Sequence, residues 1–109
     1  MEDQKSSRIT CRDGFTISIA VGKGIDCLED SIGSKTYTNV ECGFPNRIEP
    51  LLKVFAQENS TDMRTKKFFC KTVYPYVPAT VVLEVIEKHG GMIGGTLPLL
   101  SISKKERKK

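Results

Sequence analysis

The sequence predicts a single α+β domain: an antiparallel sheet of four or five strands, in the order β-β-β-α-β-α-(β), with two helices packed on one face. Three observations predict it: apolar residues alternate in several short runs, two segments switch to a helical period, and 109 residues suit one domain. We expect residues 1–7 to form a flexible arm, 8–103 the domain and 104–109 a disordered basic tail.

The first element predicted is a β-hairpin in the stretch RITCRDGFTISIAVG. Asp13-Gly14 is a turn signal between two strand-like runs, and the apolar residues after it alternate on one face. The glycine-containing segment 22–35 reads as a surface loop with room for a helical turn. Its acidic residues Asp26, Glu29 and Asp30 make it the first choice for a variable functional loop.

A third strand is predicted in TYTNVECGF, with Tyr37, Asn39 and Glu41 on its solvent-exposed face. The segment PNRIEPLLKVFAQEN then has apolar residues at helical spacing. Asn46, with Glu49 three residues later, matches a capping box, but Pro50 would cost a hydrogen bond inside the helix. The first helix is therefore expected to begin at Asn46 or at Pro50 and to end near Glu58.

The stretch KKFFCKTVY predicts a fourth strand, because it is rich in aromatic and β-branched residues, and PYVP predicts a turn. Pro78 suits the first position of a second helix, PATVVLEVIEKHGG, whose broad apolar stripe belongs against a sheet. The segment MIGGTLPLLSIS remains open to two interpretations: a short closing strand, or an exposed apolar segment used for self-association or for a partner.

His89, the single histidine, is interpreted as part of a helix end. Gly90 stands where a helix needs a left-handed residue, and Lys88 and His89 place positive charge in the last turn. No G-x-S-x-G pattern, Cys–His pair or pair of acid–base carboxylates is visible, because Glu84 and Glu87 fall on the exposed side of this helix. We therefore predict no catalytic residue, no cofactor and no metal site.

Cysteine use and the amino-terminal composition predict a cytoplasmic protein without a membrane partner. The four cysteines contain no C-x-x-C pair, so we expect reduced thiols, with three of them on strands as small core residues: Cys11, Cys42 and Cys70. The first residues are polar, unlike a secretion signal, and no apolar run approaches the ~20 residues of a membrane span.

The net charge of +4 comes entirely from the last six residues, KKERKK. Residues 1–103 are neutral, so the folded part shows no overall basic character that would indicate a nucleic-acid-binding surface. Nucleic-acid binding is kept as an alternative function, carried by the tail and by a smaller basic cluster. The candidate residues are Arg64, Lys66, Lys67, Lys104, Lys105, Arg107, Lys108 and Lys109.

Four segments, DGFTISI, YTNVECGFPN, TVYPYVP and VIEKHGG, are together similar to small uncharacterised proteins encoded by tailed phages and prophages. The resemblance covers roughly residues 12–91, and this chain departs from it in its basic tail and in a longer insertion near 59–67. It supplies no residue roles to carry over. It implies an accessory protein that binds and inhibits or redirects a host or defence factor, such as an anti-defence or anti-CRISPR inhibitor, in the cytoplasm of a bacterial host.

The predicted contact surface combines the exposed strand face, the acidic loop and the C-terminal segment. Its candidate residues, which include two further tyrosines, are Tyr37, Asn39, Glu41, Asp26, Glu29, Asp30, Tyr74 and Tyr76. Two other uses of the surface remain open. A small-molecule pocket, for example for a nucleotide signal, could form where Tyr74, Tyr76 and the glycine run meet. A homodimer could form through residues 92–102.

Overall fold

Six strands form one sheet in the part of the chain that the structure, a computed structural model, describes, residues 3–57 and 66–102. The sheet order is β3-β4-β2-β1-β6, with β5 also paired to β4, and these pairs are antiparallel. The strands are β1 (Lys5–Cys11), β2 (Thr16–Val21), β3 (Leu28–Glu29), β4 (Tyr37–Gly43), β5 (Val73–Pro78) and β6 (Met92–Gly94). The predicted fold class, a small α+β domain with an antiparallel sheet, is confirmed.

The β1–β2 hairpin matches the prediction. Ile9 lies opposite Ile17, and the turn closes where Gly14 donates its N–H to the Cys11 carbonyl oxygen at 2.9 Å. Gly14 has a φ of +93°, a left-handed conformation that favours glycine. The alternating apolar residues of β2 and the residue before it are all at most 3% exposed: Phe15, Ile17, Ile19 and Val21.

The helical elements are a 3-10 helix (Pro50–Phe55), α1 (Lys66–Cys70) and α2 (Ala79–Lys88). Leu52 of the 3-10 helix and Val82 and Val85 of α2 line the same small interior gap as Ile9 and Ile17 of the hairpin. These side chains belong to one continuous buried cluster, which is the hydrophobic core. The broad apolar stripe of α2 therefore packs against the sheet, as expected.

The end of α2 lies where the sequence predicts it. His89 is the C-cap residue, and Gly90 follows with a φ of +93°. Gly91 then donates its N–H to the Ile86 carbonyl oxygen at 2.9 Å, which closes the helix.

The predicted fourth strand at 66–74 is wrong. Residues 66–70 form α1, and β5 begins only at Val73, so that it includes the PYVP segment predicted as a turn. Phe69 is 5% exposed, and its carbonyl oxygen accepts a hydrogen bond from the buried Tyr74 hydroxyl. Burial of the aromatic residues thus comes from a helical turn packed beside the strand, because tertiary contacts outweigh β-propensity.

Of the two predicted starts of the first helix, Asn46 and Pro50, the structure has Pro50, whereas two other boundaries differ from the prediction. Asn46 is not a helix cap: it joins the hairpin, accepting from Thr16 N and donating to the Gly14 carbonyl oxygen, both at 2.9 Å. Glu49 caps the 3-10 helix instead, which begins at Pro50. The acidic loop contains strand β3 rather than a helical turn, and β1 begins at Lys5, inside the segment predicted as an arm.

Residues 95–101, here called the C-terminal strap, cross from β1 to β4. Gly95 starts the strap at a φ of +92°, and a Cβ there would collide with the backbone of β1 at Arg8. Thr96 N donates to Ser7 Oγ at 2.9 Å, and Tyr37 N donates to the Leu99 carbonyl oxygen at 2.9 Å. The predicted closing strand is thus a short β6, followed by this strap tied at both ends.

The four cysteines are free thiols, and three of them are buried. Cys11 and Cys42 lie on strands as predicted, whereas Cys70 lies at the end of α1. Burial raises the pKa of Cys42 to about 12, and burial, with the nearby Asp13 carboxylate, also raises the pKa of Cys11.

Candidate functional site

The ring of His89 lies between two carboxylates that come from distant parts of the chain. Its Nδ1 is 2.7 Å from Asp13 Oδ2, and its Nε2 is 2.7 Å from Glu49 Oε1. The ring also stacks on Phe15, with centroids 4.1 Å apart and planes 9° from parallel. Only 11% of the His89 side chain is exposed. Carboxylates contact both of its ring nitrogens, and the Phe15 ring covers one face.

Glu49 is the buried member of this group, with 1% of its side chain exposed. Its Oε2 accepts from Lys88 Nζ and from the Leu51 backbone N–H, both at 2.8 Å. Burial acts to raise the pKa of Glu49, but the hydrogen bonds from Lys88, the Leu51 N–H and His89 overcome it and lower that pKa. A charged carboxylate is therefore stable here because each of its oxygens has partners.

Asp13 is the exposed member, in the turn of the β1–β2 hairpin. Its Oδ1 accepts from Phe15 N at 2.9 Å and forms an ion pair with Arg47 at 3.3 Å. The hydrogen bond from His89 and that from the Phe15 N–H lower the pKa of Asp13. Arg47 also donates to the Asp13 carbonyl oxygen at 2.9 Å, which fixes this turn to the segment before the 3-10 helix.

We call Asp13, Glu49, Lys88 and His89 the His89 clamp. Both ring nitrogens face carboxylate oxygens, so both hydrogen bonds are satisfied together when the ring is an imidazolium that donates twice. Such a ring has no lone pair for a general base or a metal. Within the described residues, no group of three or more His, Cys, Asp or Glu side chains is arranged to hold a metal ion.

The clamp joins three segments: the hairpin turn, the start of the 3-10 helix and the end of α2. Its partners are 76 and 40 residues from His89 in the sequence. Sequence reasoning recognised the helix end but not these partners, because no local pattern connects positions so far apart. The Asn46/Glu49 capping-box match did mark Glu49, but it assigned the carboxylate to the wrong backbone group.

A second group of residues surrounds Tyr76, which has a φ of +55° and is 46% exposed. Val40 pairs with Val77 and Cys42 with Tyr74, so Tyr76 lies in a bulge where two residues of β5 oppose one of β4. Its N–H donates to the Asp26 carbonyl oxygen, and its own carbonyl oxygen accepts from Asn39 Nδ2, each at 3.0 Å.

The same group includes Glu41, whose Oε1 accepts from Asp26 N at 3.2 Å, and Leu28, which pairs with Asn39 and is 50% exposed. We call the five residues the Tyr76 patch: Asp26, Leu28, Asn39, Glu41 and Tyr76. Four of them are sequence-predicted contact candidates. The structure thus brings the acidic loop and the exposed strand face together, as one surface with an aromatic ring.

Two predicted contact residues are buried, which corrects the sequence interpretation. Tyr37 is 4% exposed because the β3–β4 pairing shifts between Leu28 and Glu29, and a one-residue shift turns a side chain to the other face. Tyr74 is 1% exposed, and its hydroxyl donates to the Phe69 carbonyl oxygen. Burial raises the pKa of Tyr74 to about 12. Tyr74 is therefore not available to line an open pocket beside Tyr76.

The tip of the acidic loop is internally bonded. Glu29 Oε1 accepts from Gly33 N at 3.3 Å, and Asp30 N donates to the Thr36 carbonyl oxygen at 2.8 Å. Ile32, at this tip, is fully exposed. Glu29 Oε1 thus accepts a hydrogen bond within the loop, whereas Asp30 is exposed and remains a contact candidate.

The basic candidates lie mostly outside the described residues: Arg64, Lys104, Lys105, Arg107, Lys108 and Lys109. Lys66 begins α1, and Lys67 is exposed on the same helix. Of the segment proposed for dimerisation, Met92, Ile93 and Leu99 are exposed, whereas Leu97 and Leu100 pack against the core.

None of the described helices is long and apolar enough to cross a membrane. Comparison of the chain with protein-family models, with curated proteins and with solved structures gives no match.

Proposed function

We propose that this protein works without catalysis, by binding a host or defence protein in the cytoplasm of a bacterial host and inhibiting or redirecting it. The contact surface in this proposal is the Tyr76 patch. The observation that supports it is an exposed aromatic ring on a left-handed backbone: Tyr76 has a φ of +55° and is 46% exposed.

That conformation costs the folded protein free energy. A residue other than glycine in the left-handed region is strained by about 1–3 kcal/mol. Burial of the ring would offset such a cost, but the Tyr76 ring is half exposed. Glycine, which suits bulges of this kind, would avoid the strain. A tyrosine at this position is better explained by a contact made outside the chain.

The patch is also arranged as a binding surface in advance. The backbone of Tyr76 is fixed on both sides, by Asp26 and by Asn39, and the flanking Pro75 restricts the chain further. A tyrosine held in this way loses little conformational entropy on binding and supplies a large contact area. These are the properties of residues that dominate the energetics of protein interfaces.

The charges of the patch indicate the chemistry of the partner. Asp26 and Glu41 contribute two acidic residues to the patch, and Asp30 adds a third from the same loop. A complementary surface would carry Lys or Arg around an apolar pocket for Tyr76 and Leu28. The same charges oppose a phosphate backbone, so this surface favours a protein over a nucleic acid.

The test compares substitutions at two positions with similar backbone conformations. Phe44 also has a positive φ, of +53°, and is 48% exposed, but it lies beyond the end of β4, outside the patch. Tyr76→Gly and Phe44→Gly both relieve strain and both remove an exposed ring. Tagged wild-type and variant proteins would be captured from nuclease-treated lysates of phage-infected bacteria, and the co-purifying protein would be quantified.

We expect one host or phage protein in near-stoichiometric amount with the wild type and with Phe44→Gly, and at least a tenfold loss with Tyr76→Gly, since interface anchors contribute about 2 kcal/mol or more. Glu41→Gln should weaken capture in a salt-dependent way. Equal recovery with Tyr76→Gly would exclude the patch as the contact surface. Absence of any proportionate protein would refute the proposed function itself.

A further inference from the structure

The Tyr76 patch contains acidic residues that are not paired with cations. Asp26 and Glu41 belong to it, and neither forms an ion pair within the described part of the chain. Glu41 Oε1 accepts a hydrogen bond from Asp26 N, which leaves the charge of that carboxylate in place. A segment rich in Lys or Arg would therefore complement this surface.

The C-terminal strap runs toward this surface. Leu100 forms a parallel bridge with Tyr37, so the strap has the same direction as β4. Ser101 N donates to the Tyr37 carbonyl oxygen at 2.8 Å, which fixes the end of the strap to the strand. Asn39 and Glu41 of the patch follow Tyr37 on β4. Since a strand advances ~3.4 Å per residue, Glu41 lies within about 14 Å of the bridge.

The segment that follows the strap in the sequence carries the complementary charge. Residues 104–109, here called the basic segment, are KKERKK and have a net charge of +4. They lie outside the described residues, which end at Ile102. The chain from residue 103 to residue 109 spans up to about 24 Å when fully extended. The basic segment is therefore long enough to reach Glu41 from the end of the strap.

We infer that the basic segment folds back onto the Tyr76 patch in the free protein and occupies it until a partner displaces it. Attachment to the strap gives the segment an effective concentration of about 1 mM at the patch. Several weak ion pairs at exposed positions are then enough for partial occupancy. The competition with a partner rests on the proposed function, whereas the fold-back itself does not.

Comparison of ¹H–¹⁵N NMR spectra tests the fold-back without any partner, on nuclease-treated protein. One variant removes the cations of the basic segment and keeps the chain length: Lys104→Gln, Lys105→Gln, Arg107→Gln, Lys108→Gln and Lys109→Gln. We expect the amide shifts of Asn39, Glu41 and Tyr76 to differ between this neutral variant and the wild type. The differences should shrink in about 0.5 M salt, because screening weakens ion pairs at exposed positions.

Substitutions in the patch provide the reciprocal test. Asp26→Asn combined with Glu41→Gln should shift the amide signals of residues 104–109, because it removes the charges that the segment contacts. Glu84→Gln combined with Glu87→Gln is the matched control, since it removes two exposed carboxylates from α2 and should leave those signals unchanged. Thermal melting establishes that each variant is folded.

Two NMR results would overturn the fold-back: unchanged patch amides in the neutral variant, or equal shifts of the basic segment with the two double variants. Shift differences that grow with protein concentration would overturn it too, and would place the segment on the patch of a second copy of the chain.

The capture experiment tests the competition separately. Half occupancy of the patch by the basic segment halves the apparent affinity for a partner, so the neutral variant should bind the captured protein at least about twofold more tightly than the wild type. Capture of a partner with equal affinity for both proteins would overturn the competition. Absence of a partner would refute the proposed function, while the NMR comparison would still decide the fold-back.

Discussion

The His89 clamp and the Tyr76 patch each contain a residue in an unusual environment, but the two regions differ in burial and in contacts. In the clamp, Glu49 is buried, yet its two oxygens accept three hydrogen bonds, and His89 has a partner at each ring nitrogen. In the patch, Tyr76 has its backbone hydrogen bonds satisfied, but the ring is half exposed and the backbone is strained. The polar groups of the clamp are paired within the chain, whereas the patch leaves the Tyr76 side chain about half exposed.

This difference shows which conspicuous residues are structural. A histidine between carboxylates suggests chemistry, but each of its ring nitrogens already has a carboxylate partner within the chain. A tyrosine in a strand attracts less notice, yet this one has a left-handed backbone, which costs free energy. A left-handed backbone and an exposed ring do not by themselves mark a contact surface, because Phe44 has both outside the patch; the proposal depends also on the acidic residues near Tyr76.

Glu49→Ala should have the largest effect on the clamp. It leaves the largely buried His89 ring and the Leu51 N–H without their acceptor, whereas Lys88, whose side chain is 44% exposed, can be solvated instead. A donor left without its acceptor in this way costs about 1–3 kcal/mol. Urea denaturation followed by circular dichroism measures the loss in the free energy of unfolding.

Glu84→Ala is the matched control, because Glu84 is exposed on α2 and should change stability by less than ~0.5 kcal/mol. If Glu49→Ala is as mild as Glu84→Ala, the clamp does not join the three segments, and the contrast with the patch disappears.

Acid should weaken the clamp. The folded-state pKa values of Asp13 and Glu49 lie below their ordinary values of 3.8 and 4.5, so the folded state binds fewer protons than the unfolded state in that range. Their stabilisation is complete above the ordinary values and is lost as the pH falls through the folded-state values. Urea midpoints between pH 7 and pH 2 measure it, and the decline should be shallower in Glu49→Ala. Parallel curves for the two proteins would contradict the assignment of acid sensitivity to Glu49.

Tyr76→Gly should have the smallest effect on stability. Relief of the left-handed strain opposes the greater freedom of glycine in the unfolded chain, so the free energy of unfolding should stay within about 1 kcal/mol of the wild type. Phe44→Gly should behave alike, since its φ and exposure are similar. A loss of several kcal/mol in Tyr76→Gly alone would show that the ring serves the fold, and it would remove the argument for a partner.

The sequence predicted those parts of the fold that depend on local pattern. The Asp13-Gly14 turn with its alternating apolar residues specifies a hairpin, and the Pro78 start and Gly90 stop specify α2. Segments with two competing signals were predicted less well. Phe68 and Phe69 have high strand propensity but lie in a helix, because packing within the tertiary structure decided their conformation.

The candidate site was predictable only in part, for a geometric reason. Strand alternation indicated Asn39 and Glu41, and the acidic composition of the loop indicated Asp26. Burial of Tyr37 depends on a shift in strand register, and the left-handed backbone of Tyr76 depends on a bulge; neither leaves a pattern in the sequence. The partners of His89 could be identified only from the fold, because they are far from it in the sequence.

The buried thiols have a consequence for chemical stability. A cysteine reacts with alkylating agents and oxidants as its thiolate, and Cys42, with its pKa raised to about 12, has almost none at neutral pH. Cys11 is protected in the same sense, since it is 1% exposed and its pKa is raised too. Iodoacetamide would therefore modify these two side chains only when the sheet opens. The rate of their modification would then report how often the sheet opens.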